Sequence, residues 1–104
     1  MLLVLDAGNT NIALGLYDGD QPGPRWRLAT DHARMPDEYG ILMIQLFQHA
    51  GIPPQAIHAI AMASVVPPLT GTLVQACQNY LGHTPLVVDI GTKTGVRVRV
   101  EELR

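Results

Sequence analysis

The sequence predicts an α/β domain built on one mixed sheet, with strands first and then strands alternating with helices. Three observations carry this. The chain opens with the continuous apolar run Met1-Leu2-Leu3-Val4-Leu5, it passes through two further strand-like segments separated by turn residues, and from Asp37 onward apolar residues switch to helical spacing. At 104 residues, with 47% hydrophobic and 15% charged residues, the chain has room for one domain and enough apolar side chains to bury a core.

Each element follows in order. Met1 to Leu5 reads as a strand buried on both faces, ended by the turn-forming Asp6-Ala7-Gly8-Asn9-Thr10-Asn11. Ile12 to Tyr17 resumes the strand pattern, and Asp18-Gly19-Asp20 with Pro22-Gly23-Pro24 is expected to close it. Trp26 to Thr30 alternates and forms a third, edge strand, so that the first three strands make an antiparallel meander. Tyr39, Leu42, Met43, Leu46, Phe47 and Ala50 then recur at helical spacing behind Asp37 and Glu38, with Gly51 and Pro53-Pro54 as stop signals. Ile57 to Val66 is a buried parallel strand, and Pro67-Pro68 opens a second helix with Leu69, Leu73, Ala76, Cys77 and Tyr80 on one face, ended by Gly82. Leu86-Val87-Val88 is a strand, and Val96, Val98 and Val100 alternate with Arg97 and Arg99 in a last edge strand.

Composition excludes several classes of function. Seven basic against nine acidic residues, a formal charge of -2, argue against a nucleic-acid or polybasic membrane partner. The single Cys77 allows no intrachain disulfide and suits a reducing, cytoplasmic compartment. The apolar start has no basic n-region and meets Asp6 at once, so it is neither a leader nor a membrane span. His32, His49, His58 and His83 lie too far apart for a local metal pair. Ser64 has no Gly-x-Ser-x-Gly elbow and is read as a strand-end residue on a cleft wall, Cys77 as inert core, and Trp26 and Tyr39 as packing residues.

The segment that carries chemistry is Asp6 to Asn11. Gly8 permits backbone angles closed to other residues, so a turn can fold tightly and expose N–H groups that cradle an anion, and Asn9 and Thr10 add side-chain donors. Asp6 at the strand end is placed to hold Mg²⁺ beside phosphates, the combination of neutralisation and positioning that phosphoryl transfer requires. A bare Asp-x-Gly-x-Thr arises by chance in roughly one or two per hundred chains of this length, and an ordinary Asn/Gly hairpin turn is the competing reading.

These residues, with Gly15-Leu16-Tyr17-Asp18-Gly19, Trp26-Arg27-Leu28-Ala29-Thr30-Asp31, Asp37-Glu38-Tyr39-Gly40, Ser64-Val65-Val66-Pro67-Pro68-Leu69-Thr70, Pro85 to Val88 and Gly91-Thr92-Lys93-Thr94-Gly95, resemble the N-terminal half of type III pantothenate kinases. The resemblance implies a ribonuclease-H-like sheet that forms one half of an actin-like two-domain kinase of the acetate kinase, sugar kinase and Hsp70 superfamily. It also implies transfer of the ATP γ-phosphate to pantothenate in the first step of coenzyme A synthesis, with Mg²⁺, a monovalent cation (K⁺ or NH₄⁺) and a homodimer. Carried over by residue, it gives Asp6, Gly8, Asn9, Thr10 and Asn11 as the ATP-phosphate turn, Asp6 as the metal residue, and Lys93, Thr94 and Gly95 as a substrate-side loop. The family's general-base Asp is expected in a Gly-Ala-Asp-Arg motif beyond Arg104, and a Tyr common near Val100 is missing. Residues 1–104 are therefore expected to be a truncated N-terminal subdomain that is inactive alone. Asp89-Ile90-Gly91-Thr92 also resembles a phosphate motif, although its register favours a loop after a strand. The alternative to a kinase is a non-catalytic regulatory module of the same fold, of the transcriptional accessory type.

Overall fold

Six strands pair side by side in one sheet in the order β3-β2-β1-β4-β5-β6, and both helices pack on the same face of it. The computed structural model describes residues 1–91 and 95–99, with the backbone alone for 89–91 and 95–99. The elements are β1 (Leu2–Ala7), β2 (Asn11–Asp18), β3 (Gln21–Ala29), α1 (Pro36–His49), a short 3₁₀ turn (Pro54–Ala56), β4 (Ala59–Ser64), α2 (Pro67–Leu81), β5 (Leu86–Gly91) and β6 (Gly95–Arg99). β1, β2 and β3 form the expected antiparallel meander; β4 is parallel to β1 and β5 to β4, while β6 turns back on β5 as an edge.

The core lies between the sheet and the helices. Alternation on the strands sends Leu3, Leu5 and Ala7, then Ile12, Leu14 and Leu16, then Ile60 and Met62, and finally Val87 toward Tyr39, Met43 and Phe47 of α1 and Leu69, Leu73 and Cys77 of α2. Helix α1 begins where Glu38 Oε1 accepts the Met35 N–H at 2.7 Å, satisfying one donor of the first turn. Helix α2 ends at Gly82 with φ 73°, a left-handed angle that glycine adopts without strain.

Three expectations are corrected. β1 is buried on one face only. Leu2 is 36% exposed, because no helix among the described residues covers the second face of the sheet. β4 is shorter than the apolar run Ile57 to Val66, whose ends serve instead as a plug (Ile57) and a helix lead (Val66). Pro22-Gly23-Pro24 do not close β2. They lie inside β3, where the register shifts between Gly15 and Tyr17 of β2. An edge strand tolerates proline, since its unpaired side needs no donor, and the extra residue is taken up as a bulge. Gly23 suits the bulge, because a Cβ there would sit 3.1 Å from the Leu16 carbonyl oxygen, tighter than most such contacts.

Cys77 is fully buried on α2, and burial pushes its thiol from 9.0 up to about 12. The folded pKa lies above the unfolded one, so this group's contribution is intact below pH 9.0 and is lost as pH rises toward about 12. The native protein is expected to leave an aromatic disulfide reagent unreacted at about pH 8, and to react stoichiometrically once guanidinium unfolds it. Rapid native labelling would show that the site is open.

Candidate functional site

The carboxyl ends of the parallel strands β1, β4 and β5 meet at one edge of the sheet, the usual location of a ligand site in such sheets. Ala7 is paired with Ser64 there, and Ser64 with Asp89. The Gly8–Thr10 turn leaves β1 at this edge, and the β4–α2 loop leaves beside it. The Val65 N–H donates to the Ala7 carbonyl at 3.2 Å, which ties the two loops together.

The turn has an unusual hydrogen-bond pattern. The Gly8 N–H donates to the Asn11 carbonyl at 3.0 Å, but the reciprocal bond that would close a regular two-residue hairpin, from Asn11 N–H to the Gly8 carbonyl, is not formed. No residue in the turn has a positive φ, so it is not one of the primed turns that such hairpins favour. Gly8 therefore supplies room rather than a left-handed angle, because a Cβ would lie 3.2 Å from the Asn11 carbonyl oxygen, a contact that the turn would have to loosen slightly to accept. This corrects the sequence-based reason for the glycine. The same two observations exclude a regular primed Asn/Gly hairpin. Among the described residues, the N–H groups of Asn9 and Thr10 have no acceptor, and both residues are exposed. An open cradle of consecutive donors is what an anion site needs.

Asp6 is the penultimate residue of β1, with its backbone registered against Ala13 and Ala63. Its side chain alternates away from the helices to the uncovered face, where it is exposed. It lines an open trough of about 630 Å³ with Val4, Ala13, Tyr17, Arg25 and Arg27. No group of three or more His, Cys, Asp or Glu among the described residues could hold a metal. The donor set is thus one exposed carboxylate beside an anion cradle. That fits Mg²⁺, which keeps several waters and takes one or two carboxylates together with ligand phosphates.

The remaining predicted residues divide. Asn11 opens β2 next to the turn. Gly95 opens β6, while Lys93, Thr94 and Thr92 lie outside the described residues. Asp89 to Gly91 continue β5 where a loop was expected, since β6 pairs with β5 as far as Gly91↔Gly95. Ser64 is not on a cleft wall. It is 5% exposed, and its Oγ accepts from Thr70 Oγ1 at 2.7 Å and from the Val66 N–H at 3.1 Å. This pair fixes the start of α2. The N-terminus of α2 offers no second anion site, because Pro67 and Pro68 have no N–H and those of Leu69 and Thr70 both donate to the Val66 carbonyl.

One functional neighbour was not read from the sequence. Thr30, just past β3, donates from Oγ1 to the Gly8 carbonyl at 2.7 Å and from its N–H to the Thr10 carbonyl at 2.9 Å. Tyr39 secures the next residue. Its phenol oxygen accepts the Asp31 N–H at 3.0 Å and donates to the Asp31 carbonyl at 3.1 Å.

Comparison with known proteins gives the chain a family and its fold a counterpart. The family model described as type III pantothenate kinase matches residues 2–104. The type III pantothenate kinase of Geobacter sulfurreducens is 51% identical over 104 residues, all of this chain and 41% of that protein. That of Anaeromyxobacter sp. (strain K) is 49% identical over the same span and the same share of its length. The chain therefore spans about two fifths of these relatives. Among solved structures, a putative N-acetylglucosamine kinase from Porphyromonas gingivalis superposes with a TM-score of 0.62 over 86% of this chain and 34% of its own, at 18% identity. That likeness is one of fold: the mixed sheet and its two helices have a counterpart in part of that structure. By its sequence over residues 2–104, the chain belongs to the type III pantothenate kinase family.

Proposed function

We propose that residues 1–104 are the phosphate-binding half of an ATP-dependent, cytoplasmic pantothenate kinase that forms 4′-phosphopantothenate in the first step of coenzyme A synthesis. The observation that carries this is the open turn, with the N–H groups of Asn9 and Thr10 unpaired beside the Asp6 carboxylate. In this reading the turn binds ATP phosphate oxygens through its N–H groups, and the Thr10 and Asn9 side chains orient them. Asp6 holds Mg²⁺, which when bound neutralises charge on the transferring phosphoryl group. Val65 and Thr30 keep the turn from moving as charge shifts, so that little reorganisation is needed during transfer. The group that takes the pantothenate hydroxyl proton lies outside the residues of this chain, as does the second wall around ATP. The homodimer and the monovalent cation belong to the same reading of the whole enzyme.

Two measurements test it. The 104-residue chain alone is expected to give no pantothenate-dependent release of ADP. Joined to the remaining length of the Geobacter sulfurreducens relative, it is expected to turn over. In that longer protein Asp6→Ala should weaken Mg-ATP binding about tenfold, the worth of one charge-assisted contact. Equal binding by wild type and Asp6→Ala would favour a non-catalytic module instead.

A further inference from the structure

We propose that Thr30 is a positioning residue that holds the phosphate turn open. The inference rests on the phosphate-binding reading for its ligand, but not for its geometry. A trans peptide is planar, with its C=O and the following N–H pointing in opposite directions. Thr30 holds two such planes. Its Oγ1 draws the Gly8 carbonyl toward β3 at 2.7 Å, and its own N–H draws the Thr10 carbonyl the same way at 2.9 Å. The N–H groups of Asn9 and Asn11, at the far ends of those planes, are consequently aimed away from β3.

The same contact explains why the hairpin is not closed. The Gly8 carbonyl is the natural acceptor for the Asn11 N–H, and it is turned to the Thr30 hydroxyl instead. Without that hydroxyl, the carbonyl swings back to Asn11. The swing consumes one donor and rotates the Asn9 N–H out of line. A single side chain thus decides between a cradle of three consecutive donors and an ordinary turn. The decision is transmitted from the core, because the buried Tyr39 phenol pins Asp31 and so fixes where Thr30 stands.

Amide exchange and ligand shifts, followed residue by residue by NMR on the 104-residue chain, separate the two parts. In wild type and Thr30→Ser, the Asn11 amide should exchange as freely as that of Asn9. In Thr30→Val and Thr30→Ala, it should slow by roughly three- to tenfold, the equilibrium worth of one neutral hydrogen bond. Core amides such as those of Leu5 and Met62 should be unchanged, which a general loss of structure would not allow. Inorganic pyrophosphate should shift the Asn9, Thr10 and Asn11 amides, with an affinity lower in Thr30→Val by a similar factor and restored in Thr30→Ser. Unchanged Asn11 exchange in both hydroxyl-free variants, failure of serine to restore it, or equal pyrophosphate affinity in wild type and Thr30→Val would overturn the proposal. Pyrophosphate that shifts none of these amides in wild type, while exchange responds as expected, would refute the phosphate reading and leave the hold of Thr30 on the turn established.

Discussion

Replacing Phe47 with alanine is expected to destabilise the protein by about 3–5 kcal/mol, the usual cost of emptying a fully buried aromatic site. Phe47 is inaccessible to solvent on the sheet-facing side of α1. Its ring meets the ring of Trp26 at a centroid distance of 5.6 Å and an interplanar angle of 55°, a tilted geometry that adds to the area buried. Its position makes the loss greater than that of a generic core residue. β3 pairs only with β2, so the packing of Trp26 against Phe47, with Leu28 beside it on the same face, helps hold this edge strand down. For a domain whose total stability is about 5–15 kcal/mol, a change of this size moves the midpoint of chemical unfolding well outside error. Trp26 is the only tryptophan, and its emission should shift to the red in the folded variant as the ring loses its cover. Phe47→Leu should recover more than half of the loss. A loss below about 1 kcal/mol for alanine would mean that the site collapses around the gap and that β3 does not depend on it.

The same strand shows how far the sequence could be read. The apolar run of β1, the helical period of α1 and the Pro/Gly punctuation of α2 are local signals, and the structure follows them. The register of β3 is not local. Counting back from Asp18↔Gln21 without a bulge would set Leu28 against Asn11 and send Trp26 to the uncovered face. The bulge at Gly23-Pro24 opposite Leu16 shifts the pairing by one residue, which returns Trp26 and Leu28 to the core. It also brings Ala29 opposite Asn11 and Thr30 beside the turn. The hold of Thr30 on Gly8 was therefore invisible in the pattern, because it depends on a shift made at the other end of the strand.

The candidate site divides the same way. Asp6, Gly8, Asn9 and Thr10 were legible as a turn following a strand, since residue type alone dictates a turn there. That the turn is an open cradle is a matter of which carbonyl each N–H meets, and a motif carries no such information. The exposure of Leu2, at 36%, was missed for a different reason. An apolar run of small and branched residues cannot distinguish a strand covered on two faces from one covered on a single face. Only the placement of both helices on one side decides it.

Gly40→Ala is the substitution for which local and tertiary physics give opposite signs. In the middle of α1, alanine should stabilise the helix by about 1 kcal/mol over glycine. However, a Cβ on Gly40 would fall 2.2 Å from Tyr80 Cδ1, 2.5 Å from Cγ and 2.8 Å from Cε1, which is inside the aromatic ring of α2. These atoms are at the root of the ring rather than at a free end, and the ring's other end is held where the Tyr80 hydroxyl donates to Asp37 Oδ1 at 2.9 Å. That bond also raises the Tyr80 phenol above its ordinary pKa. The ring can make room only by breaking this bond or by driving α1 and α2 apart, and a clash this close costs about 2–3 kcal/mol, the upper part of the usual range for overpacking. The tertiary term wins, so Gly40→Ala is expected to destabilise by about 1–2 kcal/mol net of the propensity gain. The cause is isolated by a double-mutant cycle with Tyr80→Ala. With the ring removed, Gly40→Ala should return to the stabilising sign of an ordinary helix position, a coupling of about 2–3 kcal/mol. If Gly40→Ala stabilises the protein while Tyr80 is present, the close approach of the two helices is not a constraint, and the glycine is there for no packing reason.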